Sequence, residues 1–129
     1  MALKFLIVDD SQTMRRIVIN LLKNLGYEEF VEASDGKDAL VKLASDDSLN
    51  FVITDWNMPV LSGLELVKAI RSDEKYENLP VLMVTTRGVK EDIIEALKAR
   101  VNNYVVKPFT PGILREKIDQ ILASSGGVN

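Results

Sequence analysis

Leu6-Ile7-Val8-Asp9-Asp10 is an apolar run that stops at two carboxylates. The pattern returns three times. Phe51-Val52-Ile53-Thr54 stops at Asp55, Val81-Leu82-Met83-Val84 at the hydroxyls of Thr85 and Thr86, and Tyr104-Val105-Val106 at Lys107. Near-continuous runs of Val, Ile, Leu, Met and Phe suit parallel strands covered on both faces. In an open parallel α/β sheet, ligands bind outside the carboxyl ends of the strands. Three acids, a hydroxyl and a lysine on that one edge make a candidate site, and they suit phosphoryl transfer.

Outward from these runs, strand-like and helix-like stretches alternate five times. Strands are expected at 4–9, 29–33, 51–54, from Pro80 onward, and at 102–106. Helices are expected at 12–25, 36–46, from Ser62 to about Ser72, 89–99, and from Thr110 onward. The first helix has Met14, Ile17, Val18, Leu21, Leu22 and Leu25 at the spacing of one apolar face. Gly26 supplies a left-handed residue to end it. Ala39, Leu40 and Leu43 should face inward from the second helix, Leu66, Val67 and Ile70 from the third, and Ile93, Ile94 and Leu97 from the fourth. In the fifth, the inward set is Leu114, Ile118, Ile121 and Leu122. Ser62 and Glu65 have the spacing of a capping box. Thr110 should cap the last helix, with Pro111 at its first position. The Ser- and Gly-rich tail 124–129 should fray. Five βα units joined by right-handed crossovers give a doubly wound α/β fold, a five-stranded parallel sheet of order 2-1-3-4-5. That order sets the first and third strands side by side and brings Asp9, Asp10 and Asp55 together.

Composition narrows the function classes. The 129 residues suit one domain spanning 1–129, and 47% hydrophobic against 27% charged residues is ordinary for a packed globule. A net charge of −3 argues against a nucleic-acid face. Without cysteine or histidine there is no disulfide, no thiolate or imidazole ligand and no histidine base. No apolar run reaches membrane-spanning length, and the N-terminus lacks the layout of a signal peptide. A cytoplasmic monomer is the expectation.

Three close carboxylates repel one another, so either one takes up a proton or a cation neutralises them. Oxygen ligands with no nitrogen or sulfur in reach select Mg²⁺ or a similar hard ion. Mg²⁺ takes one or two protein carboxylates directly and keeps waters, so one acid should act through water. A carboxylate then remains to attack phosphorus, with Lys107 and a threonine hydroxyl on the transferred oxygens. Singly, each residue has a plainer reading. Asp10 can cap a helix, Asp9 can make a turn, Thr85 can be a strand-end hydroxyl and Lys107 a surface lysine. The joint placement on four strands favours a site.

The stretches Val8-Asp9-Asp10-Ser11, Asp55-Trp56-Asn57-Met58-Pro59, Met83-Val84-Thr85 and Lys107-Pro108-Phe109 together resemble the receiver domain of two-component response regulators, from about Lys4 to Leu122. Thr13-Met14-Arg15-Arg16-Ile17-Val18, Thr54 through Pro59 and Tyr104 through Thr110 resemble its single-domain chemotaxis members. The resemblance implies a flavodoxin-like receiver fold and a phosphoacceptor, not a separate enzyme, that assists its own phosphorylation and dephosphorylation. Asp55 would accept the phosphoryl group. Asp10, Asp55 and the backbone carbonyl of Asn57 would ligate Mg²⁺, and Asp9 would act through water. Lys107, followed by a cis bond to Pro108, and Thr85 would contact the phosphoryl group. Tyr104 would turn inward and repack a partner face that includes Lys90, Ile93, Val106 and Lys117. The implied partners are a sensor histidine kinase, the flagellar motor switch protein and a phosphatase. Plainer readings stand beside these: Tyr104 as a static half-buried residue, Ile93 and Val106 as core, Lys90 and Lys117 as solvated charges. Trp56 is expected as a lid in the loop beside the site.

Some positions depart from the family pattern. Arg87 stands where an acid is frequent, beside Asn57 on the path of a hydrolytic water. Thr86 replaces a small residue and would crowd the tyrosine's inward pocket. Arg100 replaces a glycine at a helix end that should be reshaped or weakened, Gln120 replaces a lysine, and Ser62 replaces an aspartate. A phosphorelay intermediate that passes its phosphate to a histidine phosphotransfer protein is the alternative function. A haloacid-dehalogenase-type phosphatase needs its two aspartates one residue apart, and here they are adjacent. A flavin carrier needs a hydroxyl- and glycine-rich phosphate loop, which Asp9-Asp10-Ser11-Gln12 is not.

Overall fold

The computed structural model describes residues 2–124. Five strands, β1 (Lys4–Val8), β2 (Glu29–Ala33), β3 (Phe51–Thr54), β4 (Val81–Thr85) and β5 (Asn103–Val106), alternate with five helices. These are α1 (Gln12–Asn24), α2 (Gly36–Ser45), α3 (Gly63–Arg71), α4 (Lys90–Lys98) and α5 (Pro111–Ser124). The sheet is parallel in the expected order, β2-β1-β3-β4-β5. A short 3₁₀ turn at Glu74–Tyr76, which has no counterpart in the sequence pattern, precedes β4. The expected frayed tail lies outside the described residues, apart from Ser124 at the end of α5.

Each inner strand is apolar over most of its length because its two faces feed two cores. Phe5 and Ile7 of β1 join Phe51, Ile53, Leu82, Val84 and Val105 beneath α1 and α5. Leu6 and Val8 point the other way, with Val52, Val81 and Met83, beneath α2, α3 and α4. The alternation of side chains along a strand makes this division automatic. Register does the rest: Val8 pairs with Thr54, which places Asp9 beside Asp55.

The caps form as the sequence predicts. The Ser62 hydroxyl accepts from the Glu65 amide while the Glu65 carboxylate accepts from the Ser62 amide. The Thr110 hydroxyl accepts from the Ile113 amide. At the other end of α1, Gly26 has φ 102°. Its amide donates to the Lys23 carbonyl and that of Tyr27 to Leu22, the paired bonds of a Schellman motif.

Three helix positions depart from expectation. Ile17 (44% exposed), Ile94 (41%) and Leu97 (49%) were expected in apolar faces and lie at the surface. In α1 the inward line runs through Val18 and Leu22, and in α4 through Ile93 and Ala96. One residue along a helix turns the side chain by about 100°, so Ile17 and Ile94 fall on the flanks of those lines. Arg100 is also corrected. Its end of α4 is not reshaped. With φ 74°, Arg100 occupies the glycine conformation, and its amide and that of Val101 donate to Leu97 and Ala96 in the same paired pattern as at Gly26.

Candidate functional site

The turn after β1 is tied before any ligand enters. The Asp9 carboxylate accepts from the Ser11 amide at 2.9 Å, and Ser11, not Asp10, caps α1 by accepting from Met14. Asp10 is thus released from the plain capping reading, while Asp9 does make the turn of its own plain reading. The Asp9 carbonyl accepts from the Arg15 guanidinium at 2.7 Å, and Arg15 also pairs with Glu32 of β2 at 2.8 Å. Sequence reasoning missed Arg15. Its position one turn into α1, on the side of the preceding loop, was the available signal.

Asp55 is held from both sides. One oxygen accepts from the Trp56 amide at 2.6 Å, and the other lies 3.5 Å from the Lys107 ammonium. Lys107 stands 3.3 Å from Asp9 as well. The loop after β3 closes tightly behind Asp55. The Gly63 amide donates to the Trp56 carbonyl, and a β-carbon at Gly63 would overlap the Asp55 carbonyl oxygen. Within this loop the Leu61 amide bonds back to the Pro59 carbonyl across Val60, whose φ of 69° is rare for a β-branched residue. The Lys107–Pro108 bond is cis, as the resemblance implies.

Carboxylate oxygens of Asp9, Asp10 and Asp55 all lie within 4.8 Å of one another. Oxygens gathered within that span can share a single hard cation. Asp9 is buried, Asp55 half-buried and Asp10 exposed. Burial pushes the Asp9 carboxyl above its ordinary range; the Ser11 amide and Lys107 oppose that rise, and Asp55 adds to it. The donor set is all oxygen, which suits a hard cation.

The remaining site residues are placed as follows. Thr85 is fully buried at the end of β4, and its hydroxyl accepts from the Arg87 amide at 3.4 Å. Asn57 is exposed, and its side-chain oxygen accepts from Arg87 at 3.0 Å. Tyr104 is 8% exposed, and its hydroxyl donates to the Arg87 carbonyl at 2.6 Å. Burial, with Asp92 adding to it, pushes the Tyr104 phenol up to about 12. The tyrosine therefore occupies the inward position, not a half-buried one. Thr86 does not crowd it, because its side chain faces solvent. Trp56 is not a lid: it is 5% exposed, packed into the core under α2–α4, with the Arg87 guanidinium 4.5 Å above its ring. An indole at a strand end has more to gain from burial than from covering a polar site. On the expected partner face, Lys90 and Val106 are exposed, Lys117 is intermediate, and Ile93 packs half-buried against the core.

Comparison with known proteins agrees with this geometry. Residues 5–119 match the response regulator receiver domain family. A chemotaxis protein CheY homolog of Campylobacter jejuni is 51% identical over 125 residues, 97% of this chain and 96% of its own. The solved chemotaxis response regulator CheY4 of Vibrio cholerae superposes with a TM-score of 0.85 at 37% identity, covering 95% of this chain and all of its own. The receiver domain of the Pseudomonas aeruginosa sensor kinase PA1611 has a TM-score of 0.83 at 26% identity, over 96% of this chain and 100% of its own. That structure holds a magnesium ion in its active-site cleft. The chain belongs to the response regulator receiver domain family, as a CheY-like chemotaxis member.

Proposed function

We propose that Asp55 accepts a phosphoryl group from a sensor histidine kinase, and that the charged protein binds the flagellar motor switch to control rotation. The observation that carries this reading is the shared lysine: Lys107 lies within 3.5 Å of both Asp9 and Asp55, with Asp10 in the same cluster. A cation held against the nucleophile is what a dianionic transferring group needs.

In the proposed reaction an Asp55 oxygen attacks phosphorus in line, the new O–P bond forms, and the P–N bond to the kinase histidine breaks with its electron pair left on nitrogen. The Trp56 amide fixes the carboxylate's rotation, so the attacking oxygen is presented without reorganisation. Lys107 then follows the charge from the carboxylate to the phosphoryl oxygens, and the Thr85 hydroxyl donates to one of them. Mg²⁺, held by Asp10, Asp55 and the Asn57 carbonyl with Asp9 through water, would neutralise the oxygens of the transferring group. The phosphoryl group biases an existing equilibrium, and the partner binds one arm of it better. The exposed apolar residues Val89, Ile94, Leu97 and Val106 surround the switch tyrosine's side of the molecule and supply a surface for a partner segment. The protein works as a signalling phosphoacceptor in the cytoplasm; among the described residues no helix is long and apolar enough to cross a membrane.

Trp56, the single tryptophan, adjoins Asp55 and makes the test simple. Mg²⁺ followed by beryllofluoride should change its fluorescence in two saturable steps, with the second absent in Asp55→Asn. A second step that persists in Asp55→Asn would overturn the assignment. Capture of a motor-switch peptide only by the activated protein supports the motor output; transfer of phosphate to a histidine phosphotransfer protein in its place would assign a relay.

A further inference from the structure

Arg87 touches more of the switch than any residue so far given a role. Its guanidinium donates to the Asn57 side-chain oxygen at 3.0 Å, lies 4.5 Å above the Trp56 ring, and faces Asp92 in the first turn of α4 at 3.5 Å. Its backbone does separate work. The amide donates to the Thr85 hydroxyl at 3.4 Å, and the carbonyl accepts from the Tyr104 hydroxyl at 2.6 Å. One residue thus meets the loop after β3, the end of β4, the start of α4 and the tyrosine on β5.

The segment that Arg87 belongs to has few other anchors. Thr86, Gly88 and Val89 are exposed. Val89, the residue before helix α4, makes no side-chain cap hydrogen bond, so no hydroxyl fixes the chain there as Ser62 fixes α3. Trp56, by contrast, is locked in the core. A guanidinium lying on a buried indole, and bonded to the neighbouring amide, takes its position from that core. The Arg87 carbonyl, and with it the Tyr104 hydrogen bond, then inherits that position.

We propose that the Arg87 side chain is a positioning residue that sets the peptide to which Tyr104 donates, so that the loop bearing Trp56 and Asn57 and the inward state of Tyr104 are coupled through it. The use of this coupling in signalling rests on the proposed function. The coupling itself does not. A displacement of Asn57 when the acidic cluster fills would be passed to Tyr104 along the guanidinium, in parallel with the route through the Thr85 hydroxyl.

The test exploits a feature of the contact: the Tyr104 hydroxyl donates to the Arg87 backbone carbonyl, which every substitution keeps. In ligand-free protein, carbon-labelled tyrosine would be followed by NMR, and Trp56 by acrylamide quenching, in the wild type, Arg87→Gln and Arg87→Lys. Arg87→Gln should shift the Tyr104 ring signal toward that of solvated tyrosine, with a roughly tenfold rise in the outward population, and should open Trp56 to quencher. Arg87→Lys, which keeps the charge over the ring but not the fork, should fall between. A changed Trp56 with an unmoved Tyr104 in Arg87→Gln would overturn the proposal, since the side chain would then only cover the indole. Adding Mg²⁺ and beryllofluoride separates the two readings. With both correct, Trp56 and Tyr104 respond with one midpoint in the wild type, and Tyr104 loses amplitude in Arg87→Gln while Trp56 still responds. Silence of both residues in the wild type would remove the phosphoacceptor reading, and the ligand-free comparison would still decide the coupling.

Discussion

Asp9 and Asp55 share Lys107 but not an environment. Asp9 is the more deeply buried, and its raised pKa means that ionising it costs more in the folded chain than in the unfolded one. Between the unfolded value of 3.8 and the raised folded value, the folded chain binds more protons, so this residue's contribution to stability falls as pH rises through that window. Asp9→Asn keeps an oxygen for the Ser11 amide and removes the charge. We expect it to raise the thermal midpoint of metal-free protein at neutral pH, with the gain vanishing on acidification toward the unfolded pKa and reversed by added Mg²⁺. Thermal melts across pH, with and without the ion, check this; a variant no more stable than wild type at neutral pH would contradict it. At this scale the sequence was legible where a residue's position followed from its place at a strand end, as for Asp9, Asp55, Thr85 and Lys107. It was illegible where a side chain's partner came from a distant segment. Nothing local in Trp56-Asn57 announces that the indole is core, or that Arg87 will lie across it.

The end of α4 shows how an element tolerates a residue that its backbone disfavours. Arg100 in a left-handed cap carries strain of about 1 kcal/mol relative to glycine. The cap survives because Arg100 is clasped. Its carbonyl accepts from Arg71 Nε at 3.0 Å, and its own guanidinium donates to the Arg71 carbonyl at 3.2 Å. Arg71 further donates to the carbonyls of Tyr76 and Leu79 and to the Asn102 side chain, which in turn accepts from the Val81 amide. One guanidinium thereby joins the end of α3, the 3₁₀ turn, the end of α4 and the start of β4. Arg71→Gln leaves several of these acceptors without a donor and should lower stability by about 2–3 kcal/mol. Denaturant titration checks this, and a loss under about 0.5 kcal/mol would show the clasp to be replaceable by water. Element type was readable from periodicity because every helix has a repeating apolar line. Its exact facing was not: periodicity could not tell whether Val18 or Ile17, Ile93 or Ile94, lay on the line's centre, and that depends on how each helix is rotated against the sheet.

At the scale of the molecule, topology makes the site. The sheet reverses direction of winding between β1 and β3, and the register that pairs Val8 with Thr54 sets the acids of two separate loops against Lys107 from a third. Strand order was legible because five βα units with right-handed crossovers leave few arrangements, and because only an adjacent β1 and β3 unites the acids. The packing of Tyr104 was not legible, because in or out is a difference of packing, not of pattern. We propose that this acidic edge serves to hold a phosphoryl group on Asp55. The most direct measurement is to treat the protein with Mg²⁺ and a small acyl phosphate and to locate the modification by mass spectrometry after hydride trapping of the acyl phosphate. A single modified residue is expected, Asp55, dependent on Mg²⁺ and lost on Asp55→Asn or on removal of the ion. Modification at another residue, or an unmodified chain under conditions where Mg²⁺ binding is saturated, would contradict it.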